Sequence, residues 1–578
     1  MENAKNNEKT LNGIRNNWQT TGYNNDSYPN SNSDVLTLAY YDNYDFFNIT
    51  GIPIGTNLRS ETYDVGVYNI QSKLAVGNKG MVTCTMTMVL SDATDASSVQ
   101  KNKLYSTVYY DKYGQVLRTI SDNHLGGRDV VTNLYEDITF LVTQTKQEHY
   151  NGPEQITFEK WFEYDHAGRL LATREKVNGQ PEITLNAMKY NEVGEMITKY
   201  LHSNQTIGNL SFVQKTDYQY NIRGWLTKIN DPGLGNDNDM FGMQLFYNDI
   251  TEMGSTIAPP SGLFNGNIVG MKWGIKNESI RGYQFSYDGL NRLSQANYAE
   301  GASLDTNAGY FSENITNYDK NGNILGLQRK YNNILVDGLA YTYITKTNQL
   351  QRVTDSGTSS PAVDDYPGNS LDYIFDLNGN MTYDGAKDFN INYHRTINLP
   401  QQLDFGGNNR IFYHYTAGGT KLIKHTVPGT GTGTLTHYIG NIVYEGGTLS
   451  YIITEEGRLV PTGTGDDRKF LYEYNEKDHL GNNRVTFMGT DLGGAIDIVQ
   501  TSSYYPFGLV MNQYNGNTAP GYQNNKYLYN GKEKQDDVLG SVSLDLYDYG
   551  ARFYDPNIGR WCVMDAFTEQ YLIDSPFT

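Results

Sequence analysis

One short phrase recurs along the chain: an aromatic residue, Asp or Asn, two free residues, Gly or Asn, one free residue, then an apolar residue. It reads Tyr110-Asp111-Lys112-Tyr113-Gly114-Gln115-Val116, and again Tyr164-Asp165-His166-Ala167-Gly168-Arg169-Leu170. Further copies are Tyr190-Asn191 with Gly194, Tyr220-Asn221 with Gly224, Tyr287-Asp288 with Asn291, Tyr318-Asp319 with Gly322, and Phe375-Asp376 with Gly379. A repeat of this kind governs the whole fold. Asp or Asn opening a turn and Gly closing it suit a type I turn ended by a left-handed residue. Gly reaches positive φ without steric cost, so the chain can return antiparallel through a bulge. Each copy is therefore a β-hairpin, and because one hairpin is marginal in water, many must stack. The longer gaps between copies are expected to hold degenerate ones, with Tyr247-Asn248 and the run Tyr413–Leu422 as worn examples.

Composition follows from the repeat. Tyr makes up 48 and Gly 59 of 578 residues. Tyr favours strands and tolerates a half-wet sheet face. No long apolar segment of helical period interrupts the array, so the expected fold class is all-β. The formal charge of −19 argues against a nucleic-acid partner. No run of 18 apolar residues marks a helical membrane span. The polar start Met1–Asn6 lacks the pattern of a secretory signal peptide. Cys84 and Cys562 alone give no disulfide framework.

The chain divides into four expected regions. Residues 1–34, with ten Asn, read as a disordered or poorly ordered lead-in. Residues 35–104 form an N-terminal β region and 105–469 the hairpin array. Residues 470–578 differ in character and form a terminal module.

That module carries dense motifs: Asp478-His479-Leu480-Gly481-Asn482-Asn483-Arg484, Tyr504-Tyr505-Pro506-Phe507-Gly508, and Gly550-Ala551-Arg552-Phe553-Tyr554-Asp555-Pro556 leading to Gly559-Arg560-Trp561 and Asp565. It resembles the RHS repeat-associated core domain, and the array before it resembles the YD repeats of Bacteroidetes-type RHS proteins. The resemblance covers roughly residues 35–578. It implies a hairpin array coiled into a hollow shell, or cocoon, closed by the core domain. It further implies a C-terminal toxin held inside as cargo, secretion or display at the cell surface, contact with a secretion-system component, and a role in interbacterial competition. In several members of that family an aspartate-dependent self-cleavage frees the toxin. Arg552, Asp555 and Asp565 match positions that could serve it, and two carboxylates sharing a proton can act as an acid–base pair. The scissile Asn-Pro stretch does not appear before Thr578, and Asp565-Ala566-Phe567 stands where the family has Asp-Pro-Leu. Cleavage is therefore not expected of this chain.

Other sites read as bland. The nine His form no close pair or Cys/His cluster in sequence, so no metal is expected. His479 is expected to make a structural hydrogen bond at its turn. Asp237-Asn238-Asp239-Met240-Phe241 begins like a calcium loop, but Phe241 stands where a fifth oxygen is needed. Asp376–Asn380 is better explained as a repeat turn. No phosphate loop or nucleophile elbow occurs, and no cofactor is expected. The leading expectation is a non-enzymatic scaffold that encloses a toxin. The alternative is a surface adhesion protein whose Tyr-rich faces bind a glycan or protein partner.

Overall fold

In each of the seven copies the Asp or Asn side chain folds its own turn. Its Oδ1 accepts the backbone N–H groups two and four residues on, at 2.8 to 3.1 Å. The fourth turn residue takes positive φ in every copy, from 64° at Asn291 to 92° at Gly194. The register then shifts by one residue, so that Tyr110 pairs with Val116 and Tyr164 with Leu170. This is the bulged type I hairpin expected from the residues.

The computed structural model describes residues 35–48, 58–59, 78–91, 95 and 102–565, apart from 206–207, 209, 236–237, 255–261, 361–365, 368–370, 464, 490–497, 513–515 and 518–522. The lead-in 1–34, Asp237 of the calcium-like run and the stretch 566–578 lie outside these residues. Among the described residues there is no α-helix, and thirty-four strands join in one long antiparallel sheet that does not close as a barrel. Strands pair in chain order from Thr37–Asp42 to Leu350–Asp355, and again from Ile374–Phe375 to Gly516–Asn517. The two runs meet where Val89 and Leu90 pair with Thr416 and Tyr415. The sheet continues through Lys469–Lys477 and Asn483–Met488 without a break at residue 470. A separate four-stranded sheet, Glu533–Gln535, Leu546–Asp548, Phe553–Asp555 and Arg560–Trp561, follows near the end.

The repeat tyrosines link one hairpin to the one before. Tyr190 donates its hydroxyl to the carbonyl of Leu170 at 2.9 Å, Tyr220 to Met196 at 2.9 Å, and Tyr318 to Leu293 at 2.6 Å. The acceptor is always the apolar residue that closes the preceding turn. The same bond marks degenerate copies, two of them expected from the sequence and the others not. Tyr135 donates to Val116, Tyr247 to Leu226, Tyr343 to Ile324, Tyr393 to Met381 and Tyr415 to Pro400, at 2.7 to 3.0 Å. In the run Tyr413–Leu422 the repeat tyrosine is therefore Tyr415. Asp478 is a further copy of the turn, since its Oδ1 accepts Leu480 N–H and Asn482 N–H at 2.9 and 3.0 Å.

The two runs face each other and their inner side chains pack together. One core cluster joins Ile156, Leu185, Leu201, Phe241 and Trp273 of the first run to Tyr444, Leu459, Tyr474 and Phe487 of the second. Polar bonds cross the same space: His149 Nε2 meets the Tyr444 hydroxyl at 3.0 Å, and His202 Nδ1 meets that of Tyr474 at 2.9 Å. His124, in a loop of the first run, meets His437 of the second at 3.1 Å. Burial pushes these two imidazoles down, to about 3 and about 4, with added repulsion from His437 and His414 on His124 and from His414 on His437.

Two predictions follow from the packing. Tyr318→Phe leaves the Leu293 carbonyl without its donor and lowers the unfolding free energy by about 1 kcal/mol in chemical denaturation. Tyr41→Phe, at an exposed tyrosine, stays within about 0.5 kcal/mol. Because His124 and His437 titrate below their unfolded value of 6.5, the unfolded chain binds protons first on acidification. Stability at this seam is full above pH 6.5 and falls toward pH 4. Denaturation midpoints of His124→Asn across that range should slope less than those of the parent.

Candidate functional site

The terminal module docks on the repeat wall through buried charges. On the strand Phe553–Asp555, side chains alternate between two faces. Tyr554 packs with Tyr529 and Trp561 at centroid distances of 6.1 and 5.2 Å. Phe553 and Asp555 face the wall, where Phe553 lies 5.8 Å from Tyr413. Asp555, 2% exposed, pairs through Oδ2 with Lys387 Nζ at 3.0 Å. The same ammonium donates to the Leu544 carbonyl at 2.9 Å. Asp384, also fully buried, opens the turn that carries Lys387 and accepts the N–H groups of Ala386 and Lys387.

Electrostatics bind these three groups into a unit. Burial pushes the Asp384 carboxyl up to about 6, Lys387 opposes that shift, and Asp555 adds to it. Burial pulls the Lys387 ammonium down, but Asp555 and Asp384 more than offset this, so it stays charged. The nearby Cys562 thiol is raised well above its ordinary value by burial and by both carboxylates, which leaves it an inert core group. Neither cysteine is in a disulfide.

The three positions that the sequence proposed for cleavage divide between two ion pairs. Asp555 pairs with Lys387 in the buried seam. Arg552 pairs with Asp565 at 2.7 Å near the surface, its guanidinium 4.1 Å over the Trp561 ring. The carboxyl on which Asp555 bears is Asp384 of the array. Sequence reading missed Asp384 and Lys387. A polar turn reads as solvated until the partner, 168 residues away in the case of Lys387 and Asp555, is known.

The other motif residues anchor the module. Arg329, fully buried, pairs with Glu313 and with Asp337 at 3.0 Å. It also donates to the carbonyls of Asn557 at 2.7 Å and Pro556 at 2.9 Å. Arg560 reaches the Tyr343 hydroxyl at 2.9 Å and the Asn348 carbonyl at 3.2 Å. Tyr505 donates to the Lys330 carbonyl at 2.8 Å. Arg484 bonds Asp478 at 2.8 Å and lies over the Trp273 and Tyr504 rings. Gly508 must be glycine: its φ is 90°, and a Cβ would sit 2.6 Å from the Tyr529 ring. Lys421 bridges Glu533 and Asp548 at 2.8 and 2.7 Å. Burial alone would raise the Glu533 carboxyl, but Lys421 and Lys424 bring it down to about 2.

His479 departs from expectation. Its Nδ1 is buried without a hydrogen-bond partner and lines a cavity. Four other His come together in pairs: His124 with His437, and His414 with His425 on the two sides of Asp95 Oδ2 at 2.9 Å each. Among the described residues no group of three or more His, Cys, Asp or Glu is arranged to hold a metal ion. Among them, too, no helix is long and apolar enough to cross a membrane.

No family model and no curated protein sequence matches the chain. Solved structures do. A crystal structure of TcdB2-TccC3-TEV aligns at 14% identity over 86% of this chain and 28% of its own, with a TM-score of 0.47. TcdB2-TccC3 and TcdB2-TccC3 without its hypervariable C-terminal region align at 14% over the same 86%, covering 31% and 30% of their chains, each with a TM-score of 0.25. The likeness is one of fold. The chain spans less than a third of the length of the chains it matches.

The seam makes a specific prediction. Lys387→Met strands two buried carboxyls and costs about 3–5 kcal/mol at neutral pH. Asp384 titrates above its unfolded value of 3.8, so the folded chain binds this proton first. The stability so gained is complete below the unfolded value and is lost as pH rises through about 6. Acidification from pH 7 to 5 should therefore recover part of the Lys387→Met loss, and unfolding midpoints of Asp384→Asn should lack the parent's decline over pH 4–6.

Proposed function

We propose that this chain is a wall-and-cap segment of an RHS-type shell that sequesters a C-terminal toxin on behalf of a secreted or surface-displayed assembly. The observation that carries the reading is the fastening of the terminal module. Arg329, Lys387 and Lys421 of the array each hold backbone or carboxylate groups of that module in buried positions. A cap locked at this depth suits an enclosure, whose purpose is to stay shut. A continuous sheet also leaves few free edges for a partly unfolded passenger to pair with. The packed strip between the two runs is too full to hold a passenger domain. The enclosed space of this reading belongs beyond that strip, with further coils completing the wall.

The geometry supports a structural role for Asp555 in this chain. Its carboxylate is committed to Lys387, and no reacting bond lies among the described residues. The adhesion reading draws on one observation, the filled interior between the runs, which a solid binding scaffold would also show.

Attaching an identical flexible tag with one protease site before Met1 or after Thr578 separates the readings. Enclosure predicts that the C-terminal tag is cut about tenfold or more slowly than the N-terminal one, because cutting must wait for opening. Equal rates at both ends would sink the enclosure. If equal rates came with saturable binding on a glycan array, the adhesion reading would replace it.

A further inference from the structure

A cavity of about 320 Å³ lies between the strands Met196–Ser203 and Gln214–Tyr220 on one side and the end of Lys469–Lys477 on the other. Leu201, Leu226, Ile229 and Phe241 give it an apolar floor, with the rings of Tyr218 and Tyr220 beside them. Two polar atoms in its wall have no hydrogen-bond partner: Glu476 Oε2 and His479 Nδ1. Glu476 is only 4% exposed, its other oxygen takes the Thr216 hydroxyl at 3.4 Å, and the Gln214 side chain also acts on this carboxyl. A buried polar atom left unsatisfied costs about 1–3 kcal/mol. Two such atoms facing one apolar cavity are what a binding site looks like without its ligand.

The local sequence explains the placement. The strand pairing shifts register between Glu476 and Lys477. This bulge breaks the alternation, so that both residues line the cavity instead of opposite faces. The repeat-type turn at Asp478 then brings His479 round to the same wall.

Charge decides the kind of ligand. Lys199 is cancelled by Glu456 at 2.7 Å. Lys477 is exposed to solvent, and Glu456 acts on it as well, while Asp239 acts on Glu476. Burial, reinforced by Asp239 and opposed by Lys199, raises the Glu476 carboxyl to about 8. At neutral pH it is an uncharged acid whose O–H can donate into the cavity. Burial also lowers His479, which keeps it neutral. With these groups in balance, a cationic or anionic ligand would bring uncompensated charge into a desolvated site.

We propose that this cavity binds an uncharged amide borne on an apolar group, its carbonyl accepting from Glu476 and its N–H donating to His479 Nδ1. The site stands whether or not the chain encloses a passenger, and a peptide group or a carboxamide side chain supplies the same chemistry.

The full chain would be titrated with N-acetyl-leucinamide, and with isovalerate and isoamylamine as charged probes of similar bulk, by calorimetry or ligand-observed NMR. The amide should bind at least about tenfold more tightly than either charged probe at pH 7. Its affinity should fall by a similar factor at pH 9, where Glu476 is ionised and has no proton to give. Glu476→Gln keeps an N–H donor in place, so it should retain amide binding and lose the pH dependence. Leu201→Trp should fill the cavity and abolish binding, with an unchanged circular dichroism spectrum showing that the sheet persists. A charged probe that binds as well as the amide, amide binding that survives Leu201→Trp in a folded variant, or no amide binding at tens of millimolar would each overturn the proposal.

Discussion

The bond from each repeat tyrosine to the carbonyl that closes the previous turn is the constraint on which the rest of this structure depends. Local turn chemistry can make a hairpin, but it says nothing about where the next hairpin goes. The tyrosine hydroxyl supplies that information. It reaches back one repeat and bonds a carbonyl at the residue that closes the previous turn. Where arginine follows the turn, a second tie forms: Arg169 lies over Tyr190 and Arg292 over Tyr318, each ring belonging to the next copy. Neighbouring hairpins are thus registered at their turns as well as along their strands. A sheet of this length can then propagate without slipping, which a flat, weakly patterned sheet could not.

With the array fixed in this way, its inner face becomes a surface on which distant residues meet reproducibly. That is why buried charges are tolerable there. An isolated arginine as deep as Arg329 would be strongly destabilising. Here two carboxylates and two backbone carbonyls are held around it by strands that are themselves in register. A buried ion pair adds little net stability over a well-packed apolar pair, but breaking it is costly. Such contacts therefore select one docking position for the terminal module and penalise every other.

How much of this was legible in the residues depends on how local the chemistry is. The turns at Asp111, Asp165 and Asp319 could be read directly, because the side chain, the two amides it accepts and the glycine lie within five residues. Copies at Tyr135 and Tyr343 were hidden, because Glu136 and Ile344 stand where Asp or Asn was sought. The tyrosine persists there, since its partner is in the previous hairpin and is unaffected by the change. The turn at Asp478 was hidden for the opposite reason: Lys477 replaces the aromatic residue while the turn chemistry is intact. The all-β class followed from the same pattern. The seam did not. Lys387 and Asp555, or His124 and His437, are ordinary polar residues in their own neighbourhoods, and the 168 and 313 residues between them carry no local signal.

The position of Asp384 bears on what the terminal motifs are for. Were Asp555 and Asp384 a catalytic pair sharing a proton, a cation bonded to one of them would be a handicap, because it occupies an oxygen that the shared proton would need. Lys387 does this from within the same turn as Asp384, donating its backbone N–H to one acid and its ammonium to the other. The geometry is that of a clasp. Burial makes the charge of Asp384 costly, and that pH-sensitive group belongs to the array. What the structure gives Asp555 is a fastening contact, its carboxylate held by an ammonium that the opposite wall positions through Asp384.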